Sequence, residues 1–151
     1  MSIIGIAELH NSKTENVEAL YKKHQTNPNN NGVRVIDDIC SLNVDAGKMV
    51  PGQLISIRIA GKERTFRAEI KGIGIMYFGI RTKVLTDQGF SSISDGTLSL
   101  GSKLSVYTDG GITTASILTL EEIYTMCTHY EVRIRNRDNY VLKNGVIIKA
   151  D

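Results

Sequence analysis

Two strand-like runs close this chain, Tyr130-Glu131-Val132-Arg133-Ile134-Arg135 and Tyr140-Val141-Leu142-Lys143-Asn144-Gly145-Val146-Ile147-Ile148. A polar turn, Asn136-Arg137-Asp138-Asn139, separates them, and an Asn-Gly pair lies inside the second. That is a hairpin pattern, and a lone hairpin is marginal in water. These residues therefore call for further strands and a shared core. Fourteen glycines, two prolines, no Trp and many Thr, Ser and Ile residues point the same way, to a turn-rich β protein.

The length, 151 residues, suits one domain with a full core and a small appendage. Lys and Arg number 18 against 16 Asp and Glu, so no global charge draws the chain to polyanions. No run of 18 apolar residues and no signal peptide is visible, and a cytosolic setting is the default expectation.

Ile3, Ile4 and Ile6 read as a short strand or anchoring arm. Ser12-Lys13-Thr14-Glu15 is a capping box, and Val17, Leu20 and Tyr21 follow at helical spacing, which predicts one short helix near Asn16 to His24. The Asn-rich segment from Thr26 to Gly32 ends it and divides an arm and helix, residues 1–32, from a β domain, residues 33–151. In that domain Ile55, Ile57 and Ile59 alternate with polar residues, as do Phe66, Ala68 and Ile70. A hairpin pairing Ile59 with Phe66, Ile57 with Ala68 and Ile55 with Ile70 puts all six on one face. The stretch from Gly72 to Gly79 reads as a strand buried on both faces. Strands follow over Thr82 to Thr86, Phe90 to Ile93, Leu104 to Thr108 and Ile112 to Leu118, with turns at Asp87-Gln88-Gly89, Gly101-Ser102-Lys103 and Asp109-Gly110-Gly111. Residues Thr119 to Met126 fit a helix or a continued strand, and their context favours strand.

The region from Tyr77 to Ala150 resembles the Hint module, the fold shared by hedgehog autoprocessing domains and inteins. The resemblance rests on Thr82, Val84, Thr86, Gly89, Ile93 and the Leu100-Gly101-Ser102-Lys103-Leu104 turn for an opening block. Tyr130, Asn139-Tyr140, Asn144-Gly145 and Val146-Ile147-Ile148 stand for the closing block. It implies a compact antiparallel β domain and an ancestral self-cleaving or splicing activity. It also implies that this copy is abridged and lacks the chemistry. The nucleophile's place falls near Tyr77, and Tyr is not the thiol or hydroxyl that starts an acyl shift. The closing His-Asn corresponds to Lys149-Ala150, and Ala cannot cyclise to a succinimide. The family's Thr-x-x-His block is absent, since His129 is preceded by Met126.

Other constellations are weak beside their structural explanations. Cys40, after Asp37-Asp38, has acidic neighbours that raise a thiol pKa, and no base is placed beside it. Cys127-x-His129 offers two metal ligands on one strand, but no second pair, so it reads as a half-buried Cys and a surface His. His10 and His24 read as polar surface. Arg133, Arg135 and Arg137 alternate like a polyanion contact, yet no aromatics interleave, and a solvated or edge face explains them. Gly72-x-Gly74 and Gly47-Lys48 lack what a phosphate loop requires. Asp37, Asp38, Asp45, Asp87, Asp95 and Asp109 sit in or beside turns, where Asp caps its own backbone.

The expectation is a mainly β, Hint-like protein with no catalytic, cofactor or metal residues, and not an enzyme. It is a structural or interaction subunit of a larger assembly, docking other subunits, or copies of itself, through the arm and helix. The specific form is a tailed-bacteriophage virion component (tail, baseplate or neck), assembled in the host cytoplasm, with no membrane or nucleic-acid partner. The competing expectations are an autoprocessing Hint-type protein, with Cys40 or a non-standard nucleophile, and a nucleic-acid-binding β module.

Overall fold

The computed structural model describes residues 2–4, 21–22, 25, 33–36, 49–108, 111–142 and 144–150. In chain order the strands are β1 (Ser2–Ile4), β2 (Val33–Ile36), β3 (Met49–Gly52), β4 (Leu54–Glu63), β5 (Thr65–Ile70) and β6 (Gly74–Gly79). There follow β7 (Val84–Thr86), β8 (Gly89–Ser91), β9 (Lys103–Thr108), β10 (Gly111–Glu122), β11 (Cys127–Ile134), β12 (Asn139–Val141) and β13 (Ile147–Lys149). They make a small sheet in the order β1-β11-β4 and a large one in the order β3-β2-β12-β13-β7-β9-β10-β5-β6, with β8 on β7. Every pairing described is antiparallel. The expected helix near Asn16 to His24 and the proposed boundary at Asn27 to Gly32 lie largely outside the described residues. Tyr21, from that segment, packs its ring against Tyr130 with centroids 5.2 Å apart.

The core follows the apolar alternation. Leu54 and Ile57 of β4, Val132 and Ile134 of β11, and Ile70, Met76, Phe78, Leu104, Ile117, Leu142 and Ile148 join one buried cluster that binds the two sheets together. On the far side of the large sheet Leu85, Val141 and Ile147 form a second cluster with Phe90, Tyr107 and Ile112. Neighbouring residues along β7, β12 and β13 thus face opposite clusters, which is why these strands are apolar at consecutive positions. β6 likewise buries its last four residues, as its composition predicts.

The expected β4–β5 hairpin does not form. β4 pairs with β11, setting Ile57 opposite Val132, while β5 pairs with β6 and β10. Ile55 and Ile59 are 48% and 56% exposed, whereas Ile57 and Leu54 are buried. The alternation does mark a strand, but its partner is β11 and not β5. At Glu63-Arg64 the chain leaves one sheet and enters the other, and strands that change sheets cannot pair across the corner. Two register shifts between β11 and β4, at His129/Tyr130 and Arg133/Ile134, interrupt the simple alternation. Residues Thr119 to Glu122 continue β10 as strand. Gly72, at φ 76°, lies in the tight turn that joins β5 to β6, where a hydrogen bond from the Ile73 amide to the Ile70 carbonyl (3.0 Å) closes the turn. Asp109 and Gly110 lie outside the described residues, and β9 and β10 pair as far as Thr108 opposite Gly111.

Candidate functional site

The corner at Glu63 gathers a cluster of polar groups. Glu63 ends β4 with its side chain inward, and it is 7% exposed. A buried carboxylate must be paired or solvated internally. Here one oxygen, Oε1, accepts the backbone N–H of Arg81, while Oε2 faces Nε2 of His129 at 3.2 Å. The Arg81 amide is presented by a turn in which Thr82 donates its N–H to the Gly79 carbonyl (3.0 Å) and accepts the Gly79 N–H at its hydroxyl (3.1 Å). Thr82 is fully buried, so its part is to hold that turn. Thr86 acts similarly one strand later, donating to the Gly89 carbonyl at 2.7 Å and accepting the Gln88 amide at 3.1 Å. Both threonines of the expected opening block therefore shape turns.

Glu63 and His129 stand in the wall of an open cleft of about 510 Å³, lined also by Ala60, Arg81, Lys83, Ser92, Asp95 and Glu131. Lys83 Nζ lies 3.9 Å from Asp95 Oδ2 across it. The Ser92 hydroxyl accepts the Asp95 amide at 3.2 Å and lies 3.2 Å from the Ser94 hydroxyl, which fixes the turn beneath. Burial lowers the His129 pKa below its ordinary value. Glu63 and then Glu131 oppose this shift, and Arg81 reinforces it. The desolvation wins, so the imidazole is neutral near pH 7.

Through their backbones, both ends of the described chain adjoin residues that line this cleft. Ser2 and Ile4 of β1 pair with Glu131 and His129 of β11. At the other end, Lys149 donates its amide to the Lys83 carbonyl (2.9 Å) and Ala150 donates to the Asp138 carbonyl (2.7 Å). Ala150 is buried at 3% exposure, and the Lys149 ammonium sits 5.6 Å from the centroid of the Phe90 ring.

The sequence candidates fall out differently. Cys127 and His129 do not converge. Cys127 is buried with Tyr77, Ile75 and Ile123, and its thiol donates to the Thr125 carbonyl, while His129 turns into the cleft. His129 is thus not a surface residue, since its side chain is only 13% exposed. Among the described residues no group of three or more His, Cys, Asp or Glu could hold a metal. Tyr77 is buried in β6. Arg133 and Arg135 are exposed as expected, but β11 lies between β1 and β4, so protection of a sheet edge does not account for Arg133. Cys40, Asp37, Asp38, Asp45, Gly47 and Lys48 lie outside the described residues, as do His10 and His24. Sequence reasoning missed Glu63 and Glu131. A carboxylate at the end of an apolar strand is the one signal that Glu63 left.

No family model and no curated protein sequence matches the chain. Solved structures do. The DnaB intein from Synechocystis sp. PCC 6803 superposes with a TM-score of 0.69 at 16% identity, covering 99% of this chain and 94% of that one. The DnaX mini intein from Spirulina platensis gives 0.62 at 13% identity and 99% of both chains. A bacterial intein-like domain from Clostridium thermocellum gives 0.60 at 14% identity, covering 98% and 94%. At such identities the likeness establishes the fold, and the fold is that of the Hint module and inteins. It also extends the resemblance beyond Tyr77 to Ala150. The match takes in nearly the whole length of both chains, so the module is not abridged. The matched length takes in β1, and Tyr77 is an interior strand residue.

Proposed function

We propose that this chain, which carries the Hint fold of inteins, is a self-processing module that has lost asparagine-dependent release at its closing end. The observation that carries the reading is that the backbones of both ends adjoin residues of one polar cleft. A reaction on a module's own ends requires both ends beside the same proton-transferring groups. β1 reaches His129 and Glu131, and the end of β13 reaches Lys83. Ser2 is a hydroxyl residue that the register sets opposite Glu131, and it is the candidate nucleophile for an acyl shift at the preceding peptide bond. Ala150 has no side-chain amide to cyclise, so the reaction stops at the ester, and no release follows at the closing end.

The test is a precursor in which reporter domains flank the chain, followed by intact-mass spectrometry with and without hydroxylamine. The expected product is cleavage upstream only, promoted by hydroxylamine and abolished by Ser2→Ala. An intact precursor under all conditions sinks the reading.

A second reading is favoured by a separate observation. Ile55 and Ile59 on β4, Leu118 on β10, and Tyr124 and Met126 before β11 are all large apolar residues exposed to solvent. Such residues suit an interaction subunit of a larger assembly, and a tailed-bacteriophage virion component is its specific form. In that case the fold serves as a scaffold, and the precursor stays whole. Light scattering would then show an oligomer or complex that Ile55→Ser with Ile59→Ser disperses.

A further inference from the structure

Asn144-Gly145 turns the chain from β12 into β13, and the same pair can react with itself. The side-chain amide of an asparagine is open to attack by the next backbone nitrogen when glycine follows, because glycine has no Cβ to hinder the approach. In this turn every group that would take part is held. The Gly145 amide donates to the Leu142 carbonyl at 2.9 Å. Asn144 Oδ1 accepts the Val146 amide at 3.1 Å, and its Nδ2 donates to Met76 Sδ at 3.5 Å. Gly145 has no room to shift toward the side chain. The Tyr107 amide donates to its carbonyl at 2.9 Å, and a Cβ placed on it would overlap the Tyr107 carbonyl oxygen. β12 and β13 are themselves interior to the large sheet, flanked by β2 and β7. Freeing the turn therefore means opening the middle of that sheet rather than fraying an edge.

We propose that Asn144-Gly145 is a deamidation site that the native turn keeps shut and that unfolding opens, so the closing hairpin keeps an irreversible mark of having been unfolded. In the step, the Gly145 nitrogen bonds to Cγ of Asn144, and the bond from Cγ to Nδ2 breaks. The Gly145 amide proton leaves with Nδ2 as ammonia. Water then opens the cyclic imide at either carbonyl. One product is aspartate in the ordinary chain, and the other is an isoaspartyl linkage that runs through the former side chain. The fold treats the two differently. An aspartate oxygen still accepts the Val146 amide, and only the contact to Met76, a weak acceptor, is given up. The isoaspartyl linkage adds one carbon to the main chain directly before Val146, Ile147 and Ile148, all fully buried. A close-packed sheet has no slack for it, so that product does not regain the turn. The site stands whether or not the chain processes itself.

The test is peptide mapping by mass spectrometry of the full chain, incubated at mildly alkaline pH in buffer and in denaturing guanidinium chloride. The chain has a second Asn-Gly pair, Asn31-Gly32, whose conversion in guanidinium shows that the conditions support the reaction. Asn144 is expected to convert at least about 100-fold more slowly in buffer than in guanidinium, because the reaction waits on a minor opened population. Ile57→Ala, in the small sheet, is expected to speed the conversion in buffer by about 30-fold or more, through the unfolded population that its lost packing adds. On return to buffer the aspartyl form is expected to refold, with Asn144→Asp as its reference, and the isoaspartyl form to stay unfolded. Equal rates in buffer and guanidinium overturn the closed turn. A rate in buffer that Ile57→Ala leaves unchanged overturns the gating by unfolding. An isoaspartyl form that refolds with the unfolding midpoint of the reference overturns its exclusion from the fold.

Discussion

Gly145 is held against β9 more tightly than any side chain allows. Its φ is 91°, and a Cβ added there would lie 2.2 Å from the Tyr107 carbonyl oxygen and 2.8 Å from Val106 Cγ1. The same glycine accepts the Tyr107 amide at its own carbonyl at 2.9 Å. Asn144 completes the turn by accepting the Val146 amide at its side-chain oxygen, at 3.1 Å. Backbone strain and overpacking therefore add, and Gly145→Ala is expected to cost about 3 kcal/mol or more in urea unfolding. His129 sets a pH dependence of its own. Its folded pKa lies below the ordinary value of 6.5, so below that value the unfolded chain binds more protons. Stability is then full above about pH 6.5 and falls as the pH drops below it. His129→Gln is expected to flatten that part of the slope in unfolding curves at several pH values. The Asn-Gly turn was legible because its residue types are demanded by local backbone geometry. The Glu63–His129 pair was not, because 66 positions separate its partners and only the crossing of β4 into the corner brings them together.

At the scale of elements, the strands were legible and their partners were not. Alternation reports that one face of a strand is apolar, and both candidate neighbours of β4 had apolar faces to offer. The structure chose β11, and the consequence is sharp for two isoleucines two residues apart. Ile57 is 3% exposed and Ile59 is 56% exposed. Ile57→Ala is expected to destabilise by about 2–5 kcal/mol, while Ile59→Ala stays within about 0.5 kcal/mol. Equal losses at both positions would point back to the β4–β5 hairpin and against the β4–β11 register. The consecutive apolar residues of β7, β12 and β13 were easier to interpret, since only a strand covered on both faces tolerates them. The continuation of β10 through Glu122 was ambiguous locally. It is settled by pairing with β5, where Glu122 stands opposite Phe66 and its carboxylate meets Arg64 at 2.6 Å.

For the whole molecule, the closing block was recognisable in sequence, but the opening of the module was sought too far along the chain. Strand and turn residues such as Thr82 and Thr86 recur wherever a tight turn needs a hydroxyl, so they fit an opening block without being one. Only the superposition over 97–99% of the chain shows that the likeness takes in the N-terminal strands as well. Under the self-processing proposal, Ala150 leaves the closing end without release chemistry. The most direct measurement is intact-mass spectrometry of the chain flanked by two reporter domains. Self-processing as proposed predicts upstream cleavage that hydroxylamine promotes and Ser2→Ala abolishes, with the downstream reporter still joined after Asp151. Ligated reporters or downstream release would contradict the loss of the closing step, and a precursor inert at both junctions would contradict self-processing.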